Sequence, residues 1–311
     1  MPDGTDLPVT VIGGYLGSGK TTLVNHLLRH ADGLRLAILV NEFGELPIDS
    51  DLIEAEGDDV ISLAGGCVCC SYGNDLVMAM IDLLKMKPRP DHVLLEASGV
   101  ALPGAIAGSV SLLAGYAVDG VVVLADAETV RARAADIYMG DTITRQIGDA
   151  DIVILNKSDL VQAEVLDATI EWLSDIAPGI QIVPTAHCAV PPDGILGSFL
   201  GRQRRDDQAG HTHSHHGEMF ETASFRIDRP VDVEALARAL AHEDAGLVRA
   251  KGFALGPEGR LHAIQVVGRR WSVTDARPGA RPGIVAIGLK SDFDGKALTG
   301  LVETAMTKGR R

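Results

Sequence analysis

An α/β fold with a mostly parallel sheet, followed by a smaller C-terminal α+β domain, is predicted by three features of the sequence. Continuous apolar runs such as Leu36-Ala37-Ile38-Leu39-Val40 alternate with helix-like segments over the first two-thirds of the chain. Such unbroken runs suit strands covered on both faces, whereas a half-exposed strand alternates apolar with polar. Glycine is abundant at 35 residues and aromatics make up only 4%, as tight strand-to-helix turns around an aliphatic sheet require. Near residue 201 the pattern stops, and a shorter strand-and-helix pattern resumes after residue 217.

In chain order, strands are expected at Val9–Ile12, Leu36–Val40, Val60–Leu63, Val93–Glu96, Gly120–Asp126, Ile152–Asn156 and Gln181–Pro184. Amphipathic helices are expected between them, among them Thr21–Arg29, Asp75–Lys85 and Ala163–Ile176. The C-terminal part is expected to contain strands at Phe220–Ile227, Leu247–Phe253, Leu261–Val267, Trp271–Thr274 and Ile284–Gly288, with helices at Val231–His242 and Gly295–Thr307. The domains are then residues 1–200, a polar linker at 201–217 and residues 218–311. The 46% apolar fraction is ample for these cores.

The net charge of −14 gives no electrostatic footprint for nucleic acid or anionic lipid. No apolar run reaches the roughly 20 residues that span a bilayer, and the N-terminal residues are acidic where a signal peptide is basic. A cytoplasmic protein with neither nucleic-acid nor membrane partners is expected. Three of the four cysteines fall within four residues, which in a reducing compartment points to metal or redox chemistry.

Gly14-Tyr15-Leu16-Gly17-Ser18-Gly19-Lys20-Thr21 fits G-x-x-x-x-G-K-[ST], between an apolar strand and a helix, and makes the first domain a P-loop NTPase. Gly14, Gly17 and Gly19 let the backbone wrap phosphate oxygens, and the loop N–H groups and the helix N-terminus face the charge, with Ser18 and Thr22 among the expected nucleotide-binding residues. Lys20 is expected to reach the β- and γ-phosphates and Thr21 to ligate Mg²⁺. Asn156-Lys157-Ser158-Asp159 closes a later strand. A carboxylate at Asp159 accepts from both N1–H and the 2-amino group of guanine, donors that adenine lacks, and the Lys157 stem packs over the base. GTP and GDP are therefore the expected nucleotides; the rival reading of the tetrapeptide is a helix cap on an ordinary turn.

Two further segments end strands at the same edge. Asn41-Glu42-Phe43-Gly44-Glu45 leads to Asp49, and Glu96-Ala97-Ser98-Gly99 follows the fourth strand. Glu96 or Asp49 can hold Mg²⁺, directly or through water, and the Gly99 N–H can sense the γ-phosphate. Lys20 and Glu96 are the candidate catalytic residues. Gly65-Gly66-Cys67-Val68-Cys69-Cys70 follows the third strand. Cys67, Cys69 and Cys70 can supply soft ligands to one Zn²⁺ or similar ion, with Glu42 completing the set; buried hydrophobes and a redox pair are the alternatives. Cys188 is isolated and reads as core or loop filler. His211, His213, His215 and His216 in the linker offer imidazoles for metal capture, or form a plain solvated tract.

Together GYLGSGKTT, NEFGELPID, GGCVCC, EASG and NKSD resemble the CobW-type metallochaperone GTPases, relatives of the urease and hydrogenase accessory GTPases, and residues 218–311 resemble that family's C-terminal domain. The resemblance implies a GTPase that delivers zinc, or Co²⁺, to a client metalloprotein, and hydrolysis is expected to be slow because the sequence shows no catalytic helper. Lys20 and Thr21 would hold phosphate and Mg²⁺, Glu96 and Gly99 would match the Walker-B-like segment, Asn156, Lys157 and Asp159 would read guanine, and Cys67, Cys69 and Cys70 would bind the metal. Pro47 departs from the pattern by stiffening the switch-like segment. No arginine finger or water-positioning Gln is identifiable, so a client or a second copy in a homodimer is expected to complete the site. A metal buffer or sensor with a weak GTPase, a P-loop enzyme acting on a small molecule, and a thiol redox switch are the other readings.

Overall fold

The computed structural model describes residues 6–30, 33–41, 60–65, 74–197, 219–227, 229–242, 245–276 and 279–308. The chain divides into two compact units, Met1–Pro178 with Ile182–Ser198, and Gly179–Gln181 with Phe199–Arg311.

The first unit is built on a seven-stranded sheet among the described residues, in the order β3-β2-β4-β1-β5-β6-β7. Its strands are β1 (Leu7–Gly14), β2 (Leu36–Asn41), β3 (Val60–Gly65), β4 (His92–Glu96), β5 (Tyr116–Asp126), β6 (Ile152–Asn156) and β7 (Gln181–Pro184). The pairings β1–β4, β1–β5, β2–β3, β2–β4 and β5–β6 are all parallel. Every residue of β4 and β6 is buried, as their unbroken apolar sequences require when helices cover both faces. The helices are α1 (Lys20–Arg29), α2 (Asn74–Lys85), α3 (Pro103–Ser111), α4 (Val130–Ala134), α5 (Gly140–Gly148), α6 (Ala163–Ile176) and α7 (Pro192–Ile195).

Two differences from the pattern reading have clear causes. Strand β5 begins at Tyr116, four residues before the expected start at Gly120. The polar Asp119 interrupts the apolar run, yet it is buried and accepts hydrogen bonds from Thr10 Oγ1 (3.4 Å) and the Gly197 amide (3.0 Å). Helix α3 is short and rich in Gly and Ser, so its period is faint. It is anchored instead by Gly104, whose amide donates to Asp149 (3.0 Å) and whose position leaves no room for a Cβ, which would lie 2.6 Å from the Asp149 carboxyl carbon.

The second unit is an antiparallel sheet in the order β11-β10-β9-β12-β8, formed by β8 (Phe220–Phe225), β9 (Leu247–Leu255), β10 (Leu261–Val267), β11 (Arg270–Asp275) and β12 (Gly283–Leu289). Helices α8 (Val233–His242) and α9 (Gly295–Lys308) bury Leu236, Leu240, Leu298 and Val302 in one core with Ile264, Val266 and Ile284 of the sheet. No helix among the described residues is long and apolar enough to cross a membrane.

Candidate nucleotide and metal site

In a parallel sheet, ligands bind beyond the carboxyl ends of the strands, where neighbouring connections run in opposite directions. Here β1 lies between β4 and β5, and its carboxyl end opens into the glycine-rich loop. Gly14 has φ 131°, and a Cβ there would fall 2.5 Å from the Leu124 carbonyl oxygen. Gly19 has φ 108°, and a Cβ there would fall 2.5 Å from Asn156 Nδ2. Both positions demand glycine for backbone conformation and for space. Helix α1 starts immediately afterwards, with no side-chain cap and no acidic residue in its first turn. The positive end of its dipole is thus not met by an acidic side chain of its own first turn, the setting in which a helix start favours an anion.

Lys20 is the first residue of α1 and is buried, as is Ser18, whose hydroxyl makes no hydrogen bond among the described residues. Thr21 Oγ1 donates to Glu96 Oε1 at 3.1 Å, and Glu96, the last residue of β4, is only 2% exposed. A hydroxyl and a carboxylate facing one another are hard oxygen donors of the kind Mg²⁺ takes. Thr22 in the same turn is exposed. Gly99 packs on the loop: a Cβ would lie 2.6 Å from the Leu16 side chain and 3.0 Å from its amide nitrogen.

Asn156 ties the far side together. Its Nδ2 donates to the Ser18 carbonyl and its Oδ1 accepts from the Cys188 amide, both at 3.0 Å, and the residue is buried. Lys157 adopts the left-handed region at φ 61°, and its Nζ donates to Asp126 Oδ2 at 2.7 Å. Asp159 lies in a short 3₁₀ turn, Ser158–Leu160, and is exposed on the rim. Gly14, Ser18, Gly19, Lys20, Thr21, Glu96, Gly99 and Asn156 are thus drawn into one cluster; no described contact joins Thr22 or Asp159 to it.

Three contributors were not singled out by the sequence. Cys188, read as filler, is fully buried as that reading requires, but against the phosphate loop, with Sγ 3.4 Å from the Gly19 carbonyl oxygen. Burial pushes its thiol up to about 12, and the nearby Lys157 only partly opposes that, so it is inert at neutral pH. It and His187 are left-handed non-glycine residues, φ 55° and 53°, a conformation no residue type here announces. Arg133 of α4 donates to the Leu16 carbonyl (2.8 Å) and lies 5.5 Å from the Tyr15 ring centroid. Gln146 of α5, buried, donates to the carbonyls of Gly99 (3.1 Å) and Ala101 (2.8 Å). Its place at i+3 from Ile143, on the buried face of α5, is the only signal the sequence offered.

Glu42, Asp49, Cys67, Cys69, Cys70, His211, His213, His215 and His216 lie outside the described residues. Among the described residues no group of three or more His, Cys, Asp or Glu could hold a metal ion. The strands that lead to the switch-like and thiol segments are described: β2 ends at Asn41, paired with Gly65 at the end of β3.

Residues 8–184 match the nucleotide-binding domain of the CobW/HypB/UreG family, and residues 220–305 match the cobalamin synthesis protein cobW C-terminal domain. A zinc chaperone CobW from Sinorhizobium sp is 30% identical over 94% of this chain and 95% of its own. The zinc chaperone YjiA of Escherichia coli is 34% identical over 88% of this chain and 89% of its own. A zinc-regulated GTPase metalloprotein activator 1 of Dictyostelium discoideum is 29% identical over 79% of this chain and 62% of its own.

Proposed function

This chain belongs to the CobW/HypB/UreG family, and from that premise we propose that it is a GTPase that binds zinc and hands it to a client metalloprotein under control of the GTP cycle. The names of its relatives, zinc chaperone and zinc-regulated GTPase activator, support both halves of the reading.

The observation that carries it is the order of ligand-bearing strands along one sheet edge. The Asn156 motif ends β6, the phosphate loop ends β1, Glu96 ends β4, and β3 ends at Gly65, one residue before Gly66-Cys67. A nucleotide with its base toward β6 and its phosphates on β1 directs its γ-phosphate toward β4, the side on which β3 lies. Three strand spacings separate β1 from β3, about 14 Å at about 4.8 Å each. That is close enough for a segment ordered by the γ-phosphate to bear on the thiols.

The phosphate-loop amides and Lys20 hold the β- and γ-phosphates against the start of α1. Thr21 and Glu96 would hold Mg²⁺, which supplies charge neutralisation on the phosphate oxygens. Glu96 Oε1 is held against Thr21 Oγ1 at 3.1 Å, at the end of a strand whose every residue is buried. Gln146 fixes the Gly99 segment through its carbonyls, leaving the Gly99 amide to meet the γ-phosphate. The Arg133 guanidinium is engaged with the Leu16 carbonyl, and Gln146 is engaged with the Gly99 segment. Neither, as placed, serves as the finger or the water-positioning group, and turnover of roughly 10⁻⁴ to 10⁻² per second is the expectation without a client or second copy.

Cys67, Cys69 and Cys70, with Glu42, form the zinc site in this proposal, Co²⁺ being the competing ion; the linker imidazoles His211, His213, His215 and His216 capture metal less selectively. Replacing Cys69 by Ser tests the assignment. Zinc affinity measured against a chelating indicator is expected to fall at least about tenfold, with GTP affinity unchanged. Unchanged zinc affinity removes Cys69 from the site.

A further inference from the structure

We propose that Asp126 is a positioning residue for base selection: its carboxylate pins the Lys157 ammonium so that the lysine stem is held as one wall of the guanine pocket. The proposal rests on the reading of Asn156–Asp159 as the base site.

Strands β5 and β6 run parallel with Asp126 opposite Asn156, so the acid and the first residue of the base motif end adjacent strands at the same level. The two carboxylate oxygens have separate tasks. Oδ1 accepts from the Glu128 amide at 3.0 Å, which shapes the turn after β5, and Oδ2 accepts from Lys157 Nζ at 2.7 Å. The side chain of Asp126 is 9% exposed and that of Lys157 34%, so the pair is only partly screened by water. It also differs from an ordinary surface pair, because it joins residues 31 apart in sequence.

A free lysine side chain samples many rotamers and makes a poor wall. Lys157 is held at both ends. Its backbone is set in the left-handed region, with the Leu160 amide donating to its carbonyl at 3.0 Å and the Ser158 amide donating to the Thr185 carbonyl at 3.1 Å. Its ammonium is set by Asp126. The methylene stem between them is pre-ordered before any base arrives, so nucleotide binding does not bear the cost of ordering it. Asp126 acts through Lys157 and needs no contact with nucleotide.

The test is displacement of a fluorescent GDP analogue by GDP, ADP and inorganic tripolyphosphate, on the wild type, Asp126→Asn, Lys157→Met and the double variant. Asn keeps the Oδ1 acceptor for Glu128 while removing the charge. The wild type is expected to prefer GDP to ADP. Asp126→Asn should weaken GDP about tenfold and leave tripolyphosphate unchanged, and should cost nothing further once Lys157 is Met. An equal loss in both backgrounds, or a loss shared by tripolyphosphate, overturns the role of Asp126 and leaves the base site standing. A wild type indifferent to GDP and ADP overturns the base-site reading itself and the proposal with it. Should Asp126→Asn fail to fold by circular dichroism, the more exposed Lys157→Met carries the test: it should lose the same factor for GDP, and undiminished affinity overturns the proposal.

Discussion

Lys20→Ala should slow GTP turnover by about 10²- to 10³-fold while the protein remains folded. Lys20 opens α1 behind the left-handed Gly19, at a helix end with no capping side chain and no acid in its first turn. In the proposed site the amides there bind ground-state phosphate. The extra charge that develops on the γ-phosphate oxygens during transfer needs a cation, and a buried lysine at the loop is placed to supply it. GTP affinity should therefore fall less than turnover, a split that single-turnover kinetics with a phosphate-release assay resolves. Wild-type turnover in this variant would remove the loop from the reaction.

Asn156→Ala should destabilise the first unit by about 2–4 kcal/mol and loosen guanine nucleotide binding with it. The side chain spans two segments, donating to the Ser18 carbonyl and accepting from the Cys188 amide, each at 3.0 Å. Truncation leaves a buried carbonyl and a buried amide without these partners, and empties the space beside Gly19, where a Cβ would fall 2.5 Å from the amide nitrogen. Urea unfolding of the apo protein reads the first effect and GDP titration the second. Asn156→Asp keeps an acceptor for the Cys188 amide but sets a buried carboxylate against the Ser18 carbonyl, so it should be no more stable than Asn156→Ala, and nucleotide affinity should stay low. A melting curve for Asn156→Ala that overlays the wild type would show that the bridge contributes nothing.

The fold was legible because aliphatic runs and glycine positions are set by local physics. Ile152–Asn156, Gln181–Pro184, Ala163–Ile176 and Leu261–Val267 begin and end where the pattern places them. Chemistry-bearing residues at strand ends were legible for a related reason: a Lys, Thr or Glu that closes an apolar strand or opens a helix stands out by type. The remaining parts of the site depend on tertiary approach. Gln146 reads as one polar residue on a helix face, and Cys188 as a lone thiol. Only the folded chain brings the first to the Gly99 carbonyl and the second to Gly19 and Asn156. Asp126 was visible as a strand end, but its pairing with Lys157 depends on the β5–β6 register. Strand β5 runs past the start of its apolar pattern because Asp119, a charged residue in the core, satisfies its carboxylate through Thr10 and Gly197, far away in sequence.

The proposed link between nucleotide and metal is open to one direct measurement: zinc affinity with a non-hydrolysable GTP analogue bound and with GDP bound, alongside the affinity for each nucleotide with and without zinc. Coupling across the sheet edge predicts zinc affinities that differ by at least about fivefold between the two nucleotide states. It also predicts that zinc shifts the ratio of nucleotide affinities by that same factor. Zinc affinities that agree in both states would contradict the account and reduce the chain to a GTPase that binds zinc independently.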